Sequence, residues 1–325
     1  MEPQPTPPIN LSEEDLNYIN SIPEAKGYVD CHNHLYAEEF SKDLPETIQK
    51  AIDNNILAMI VVAENNKNFE EILNLQEKYP NFIFPCLGYH PVQGDYNNAD
   101  EAASLSKEMH ISHDENFTFI EQAYKDNKIV GIGEAGLDFT PKFVKKGEID
   151  KNSQKEALIM QLNLAEKLNL PINLHSRSAG RPLMNIINEH ENKKFHNIPC
   201  QFHAFAGKAS LPNNFIKNDK NSNCYFSVGT SRIDLSPSKI EKKTSVRYKP
   251  NENFKFISGI PIRNLLLETD LPALGPVRGL RNEPENLLLA AEAVGKVFNL
   301  PMNKVRNLTS FNACKLYPKL RSVLF

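Results

Sequence analysis

The 325-residue sequence predicts a (β/α)8 barrel. Three observations lead there. Short β-branched or apolar runs alternate with helix-period segments, as parallel strands joined by crossovers require. Eight such runs over about 300 residues favour a closed barrel over an open doubly wound sheet. No GxGxxG or GxxxxGK[ST] fingerprint opens a helix, which weakens the open-sheet alternatives.

Residues 1–26 read as an extension ahead of a single domain spanning 27–325. Four of the first eight residues are Pro, which favours an extended lead-in. Ser12 with Asp15 then caps a helix over Glu13–Asn20, and Pro23 closes it. Strands are expected at Tyr28–His32, Leu57–Ala63, Phe82–Gly88, Ile129–Glu134, Ile172–His175, Cys200–His203, Cys224–Val228 and Leu265–Glu268. Helices are expected at Asp43–Asn54, Phe69–Lys78, Phe117–Asn127, Ser153–Leu168, Pro182–Glu189, Pro212–Asn218, Glu285–Phe298 and Met302–Cys314, with Lys239–Arg247 a further candidate. Two stretches read as loops. Asn97–Glu115 is polar, and Asp234–Lys255 is a basic insertion after the seventh strand with five Lys/Arg between Lys239 and Lys249.

Hydrophobic residues at 40% and charged residues at 24% exclude wholesale disorder. The net charge of −3 excludes a protein that holds nucleic acid by a global positive field, though not one that grips it locally as a substrate. The longest apolar run, Ile56–Ala63, falls far short of the roughly 20 residues a membrane helix needs. The acidic, proline-rich start lacks the basic and apolar regions of a secretory signal. Five scattered cysteines without a CxxC pair argue against a disulfide framework or a zinc finger. A reducing compartment, cytoplasmic or nuclear, is the expectation.

The chemistry lies where polar residues follow the strands. Strand one ends in Asp30-Cys31-His32-Asn33-His34, and alternation puts His32 and His34 on one side as a metal half-site. Strand four ends in Gly131-Ile132-Gly133-Glu134-Ala135-Gly136-Leu137-Asp138, and strand five in His175-Ser176-Arg177. Strand six ends in Phe202-His203-Ala204-Phe205, and strand eight in Leu267-Glu268-Thr269-Asp270. A carboxylate or imidazole at each of these places is costly to bury alone, and a divalent cation compensates it. Four His and two carboxylates suffice for two ions that share one bridging ligand. The mixed donor set suits Zn, Mn or Fe and tolerates Mg.

Asp30-x-His32-x-His34-Leu35, Gly88-x-His90-Pro91, Gly131-x-Gly133-Glu134-x-Gly136-Leu137-Asp138, His175-x-Arg177, Phe202-His203-x-Phe205 and Glu268-Thr269-Asp270 with Asn282-Glu283-Pro284 resemble the TatD family of metal-dependent deoxyribonucleases. The resemblance runs in order from about Gly27 to Leu320. His175-Ser176-Arg177-Ser178-Ala179-Gly180-Arg181-Pro182 and Pro272-Ala273-Leu274-Gly275-Pro276 look most like its eukaryotic branch called TatD DNase domain-containing protein 3. It implies a DNA substrate and two divalent ions, Zn, Mg or Mn. His32, His34, Glu134 and Asp270 would hold one ion, and Glu134 (bridging), His175 and His203 the second.

In the same resemblance His90 and Arg177 face the scissile phosphate. A strand-end imidazole satisfied by a carbonyl and a loop ion pair are their respective structural alternatives. Asp270, at the metal edge, is the candidate to orient or deprotonate the attacking water. Glu283 reads equally as a helix N-terminal acid, and Arg278 and Arg281 equally as phosphate contacts or solvated side chains. Leu271 and Ser178 depart from residues common in the family without removing a ligand. Other amidohydrolase-type reactions on a small ester or amide, aminoacyl-tRNA deacylation, and a non-catalytic metal-bound scaffold are the alternatives. Many such barrels carry a carboxylated Lys at strand four, where this chain has Glu134. His110, His113, His190 and His196 need no special role. No membrane association or obligate protein partner is expected.

Overall fold

Eight parallel strands form the barrel wall in the computed structural model, which describes residues 7–94, 103–104, 115–188, 195, 197–205, 207–218, 223–230 and 250–325. They are β1 (Tyr28–Asn33), β2 (Ile56–Val62), β3 (Ile83–Leu87), β4 (Gly131–Asp138), β5 (Ile172–Arg177), β6 (Cys200–Phe202), β7 (Cys224–Gly229) and β8 (Leu265–Glu268). They pair in chain order from β1 to β8. Nearly every strand residue is buried, because the barrel interior covers one face and helices the other. The strands therefore read as continuous apolar runs rather than as alternating ones.

Around them lie α1 (Glu13–Ser21), α2 (Leu44–Asp53), α3 (Phe69–Lys78), α4 (Glu115–Lys125), α5 (Glu148–Leu168), α6 (Gly180–Asn188), α7 (Ser210–Asn218), α8 (Pro250–Ser258), α9 (Leu287–Phe298), α10 (Met302–Leu316) and α11 (Arg321–Leu324). Among the described residues no helix is long and apolar enough to cross a membrane. Ser12 caps α1 by accepting the Asp15 N–H at 3.1 Å. Helix α5 buries Gln154, Ala157, Leu158, Gln161, Leu162 and Ala165 on its inner face. Its two inward glutamines clamp strand ends. Gln161 pairs with both backbone groups of Tyr89, and Gln154 with both of Asp138.

The seam between β8 and β1 is bonded differently from the ladders. The buried Asp30 carboxylate accepts the Thr269 N–H at 2.9 Å and the Thr269 hydroxyl at 2.6 Å. The Asp270 N–H then donates to the His32 carbonyl at 2.9 Å, and the His34 N–H to the Leu271 carbonyl at 2.8 Å.

Several boundaries differ from the sequence expectation. Strand β4 continues past Glu134 to Asp138, because Gly136 pairs with His175 and Asp138 with Arg177. Only a residue without Cβ fits there, since a Cβ on Gly136 would stand 2.1 Å from the His175 carbonyl oxygen. Helix α5 starts at Glu148 rather than Ser153, and α6 at Gly180 rather than Pro182. Within the expected loop before α4, Ala103–Ser104 pairs antiparallel with Val92–Gln93. The Lys239–Arg247 helix candidate and His110, His113, His190 and His196 lie outside the described residues, as does the Asp234–Lys255 insertion up to residue 249.

Candidate metal centre

The ends of six strands bring their polar side chains to the carboxyl-terminal mouth of the barrel, and Glu134 of β4 sits at their centre. Its backbone is fixed by an N–H bond to the Ala63 carbonyl at 2.8 Å. Its two oxygens face different partners. Oε2 lies 3.5 Å from Nε2 of His32 and 3.5 Å from Nε2 of His34. Oε1 lies 2.6 Å from Nε2 of His203 and 2.7 Å from Nδ1 of His175. Asp270 completes the first cluster, with Oδ1 3.4 Å from Nε2 of His32 and 3.5 Å from Nε2 of His34. It stands in the left-handed backbone region at φ 60°, a conformation Asp tolerates, two residues past the end of β8.

The four separations among His32, His34, Glu134 and Asp270 test whether a cation fits. Ligands about 2.0–2.2 Å from a tetrahedral ion stand about 3.3–3.6 Å from one another. The observed 3.4–3.5 Å edges match. Nε2 of His32 is buried without a hydrogen-bond partner and faces both carboxylates, as a ligating lone pair would. Three groups have mutually close donor atoms: His32 with His34 and Asp270, His90 with Glu134 and His175, and His32 with His203 and Glu268.

The carboxylates stand ready to ligate, but the imidazoles are divided. Burial pulls His32, His34 and His175 down, yet the carboxylates around them outweigh it and raise all three, so an ion would displace protons there. Burial pushes the carboxyls of Glu134 and Asp270 up, but the imidazoles around them outweigh it and hold both below the usual carboxylate range. Burial pushes the His203 imidazole down to about 4, so it is neutral. Burial also lifts the carboxyl of Glu268 to about 7.

A second layer orients these groups. Nδ1–H of His34 donates to the Val62 carbonyl at 3.1 Å, and Nδ1–H of His90 to the Val92 carbonyl at 2.8 Å. Asp138 Oδ2 stands 3.6 Å from Nε2 of His175. Beneath the centre runs a buried chain of donors with one direction. His32 Nδ1–H donates to Asn173 at 2.8 Å, Asn173 to the Tyr317 hydroxyl at 3.3 Å, and Tyr317 to Gln201 at 3.0 Å. Gln201 donates to Ser227 at 3.1 Å, and Ser227 to Glu268 at 2.6 Å. Every member is 1% exposed or less. The chain holds a proton on Nδ1 of His32, so Nε2 is the nitrogen that would turn to an ion.

The structure thus gathers His32, His34, Glu134, His175, His203 and Asp270 around one carboxylate. His90 joins them: its Nε2 lies 3.3 Å from Nδ1 of His175 and 3.7 Å from Oε1 of Glu134. Arg177 stands exposed at the end of β5. Arg281 is held elsewhere. Its guanidinium pairs with both oxygens of Asp43 at 2.7 and 2.6 Å and with Glu283 at 2.7 Å. Glu283 is thereby an ion-pair partner, and Arg278 is exposed on the same loop. Sequence reasoning gave no role to Glu268, Asp138 or Asn173. Asn173 was within reach, since it stands two residues before His175 and so shares its side of β5.

A family model described as TatD related DNase matches residues 29–318. The chain is 38% identical over 298 residues to the human protein named deoxyribonuclease TATDN3, covering 92% of this chain and 97% of that one. It is 29% identical over 290 residues to a Bacillus subtilis protein named as an uncharacterized metal-dependent hydrolase, covering 89% and 98%. The crystal structure of an Escherichia coli TatD homologue superposes with a TM-score of 0.69 at 23% identity, covering 90% and 98%, and shares the fold.

Proposed function

The chain belongs to the TatD-related DNase family, and from that premise we propose that it is a metal-dependent deoxyribonuclease that hydrolyses DNA phosphodiester bonds from strand ends. The observation that carries this reading is the single buried Glu134 carboxylate with an imidazole pair on each oxygen. His32, His34, Glu134 and Asp270 would hold one divalent ion, and Glu134, His175 and His203 a second, with Zn, Mn and Mg the candidates. Such a pair of ions neutralises charge developing on phosphate oxygens and acidifies a water.

The remaining work falls to this chain's own groups. Glu134, ionised in place, spans both ligand clusters and fixes their separation. Asp270, also ionised, orients the attacking water at the open edge. His90 borders the second cluster and meets the phosphate from the side of β3. Arg177 offers its guanidinium fork to a phosphate oxygen from the rim. The domain that does this spans 27–325, with residues 1–26 an extension ahead of it.

Incubating the purified protein with end-labelled DNA and Mg, Mn or Zn tests the reading. Wild type shortens the label progressively, and Asp270→Asn loses about 10²–10⁴-fold in rate. Equal behaviour of the two proteins on every nucleic acid tried refutes it.

A further inference from the structure

A cavity of about 460 Å³ opens on the same face of the barrel, between the loop after β1 and helix α3. That is the size of a pocket for a compact organic group, since such pockets run about 300–1,000 Å³. Leu35 and Phe40 line it from the loop, and Leu75 from the helix. Glu71 stands one turn before Leu75 on the same face of α3. Two lining residues tie it to the metal centre. Tyr36 donates its hydroxyl to Glu64 at 3.1 Å and stands 3.4 Å from Nδ1 of His34. The Glu64 carbonyl accepts the His90 N–H at 2.9 Å. The cavity and the ligand cluster therefore share a wall.

The lining decides what fits. Among the described lining residues none is basic and three are glutamates, Glu38, Glu64 and Glu71. A phosphate is repelled there. The apolar and aromatic walls suit a flat ring, and the carboxylates suit N–H donors on its edge. On a phosphodiester substrate held at the neighbouring centre, the group meeting both conditions is a nucleobase.

We propose that this cavity is a subsite for the nucleobase beside the scissile phosphate, and that it selects bases carrying an exocyclic amine. The inference rests on the reading of the metal centre as a phosphodiesterase. Cytosine and thymine make the sharpest comparison, because they are alike in size and differ at one edge. Cytosine presents the N4 amine, which carboxylates accept, whereas thymine presents the O4 acceptor and a methyl group.

The test uses the full metal-loaded protein with d(CpC), d(TpT) and a dimer of two base-free tetrahydrofuran nucleotides, alongside NMR titration with deoxycytidine and thymidine. Wild type is expected to cleave d(CpC) about tenfold faster than d(TpT) in kcat/KM. Glu71→Lys, a change at an exposed position, brings that ratio to one or below and leaves the base-free dimer unaffected. Leu75→Trp fills the cavity and slows both base-bearing dimers about tenfold while sparing the base-free one. Equal rates on d(CpC) and d(TpT), or variants that slow all three dimers alike, overturn the proposal. If no dimer is cleaved, the phosphodiesterase reading fails and titration decides the cavity alone. Deoxycytidine binding that Glu71→Lys weakens, with thymidine weaker in wild type, then supports a nucleobase site, and no binding of either nucleoside ends it.

Discussion

Replacing Asn173 by alanine removes the acceptor that holds Nδ1–H of His32 at 2.8 Å in a fully buried position. The imidazole is then left with an unsatisfied N–H, a cost of about 1–3 kcal/mol that it escapes by moving the proton to Nε2. That nitrogen stands 3.4 Å from Asp270 and 3.5 Å from Glu134, so the new tautomer donates to a carboxylate and loses the lone pair that would ligate. Loss of an orienting partner costs about 10–100-fold in metal affinity, or about 1.4–2.8 kcal/mol. Asn173 also donates to the Cys31 carbonyl and to the Tyr317 hydroxyl, both at 3.3 Å, so the variant is less stable for a second reason. Tyr317→Phe separates the two effects. It removes one bond of Asn173 and leaves the His32 contact in place. Competition against a chromophoric chelator at pH 7.5, with circular dichroism to check folding, measures both. The expected result is weakened binding in Asn173→Ala and near wild-type binding in Tyr317→Phe. A folded Asn173→Ala protein with wild-type affinity refutes the tautomer argument, and so does equal weakening in the two variants.

Other consequences can be checked as simply. Glu134→Gln should abolish binding at both clusters together rather than at one, read as bound metal per chain after loading and desalting. Ion binding at a hundred times its Kd contributes about 2.7 kcal/mol of stability and, for a chain of this size, raises the thermal midpoint by roughly 4 °C. An unchanged midpoint after metal is added to chelator-treated protein contradicts the site. Gly136→Ala should destabilise by about 3 kcal/mol or more, because the new Cβ meets the His175 carbonyl oxygen and not a movable side chain. A urea midpoint close to wild type would show that β4 and β5 can part. Burial lifts the carboxyl of Asp30 to about 7, although hydrogen bonds from Thr269 oppose the shift. A folded pKa above the unfolded value gives stability that is present below about pH 4 and lost as pH rises toward 7. In chelator, wild type should therefore lose up to about 1.4 kcal/mol per pH unit across that window from this group, and Asp30→Asn should lack that component of the slope. Urea unfolding of both proteins at pH 5 and 7 reads the difference, and identical slopes would contradict it.

Most of the barrel was legible because parallel strands covered on both faces betray themselves as unbroken apolar runs, Ile56–Ala63 above all. The end of β4 was not. Gly136 and Asp138 after Glu134 look like a loop until the partner strand is known, and only pairing with β5 shows that they remain in the wall. The clustering of the candidate residues was legible because each follows an apolar run at a strand's carboxyl end. The roles of Asp138, Asn173 and Glu268 were not, since they depend on which strands abut and in what register. Arg281 illustrates the same limit, for its partner Asp43 lies 238 residues away in the chain. The share of an element that faces a neighbour is local information; the identity of that neighbour is not.

The donor chain beneath the centre joins the two ends of the polypeptide's order of synthesis. His32 is made early and Tyr317 nearly three hundred residues later, yet Asn173 joins them, accepting from His32 and donating to the Tyr317 hydroxyl. A growing chain can therefore pair its first strands long before that buried relay has its full set of members. Until residue 317 has emerged and packed beneath the barrel, Asn173 and Gln201 lack their shared partner. The relay therefore closes only with the segment that follows α10, although the His32–Asn173 bond at its head needs nothing from it.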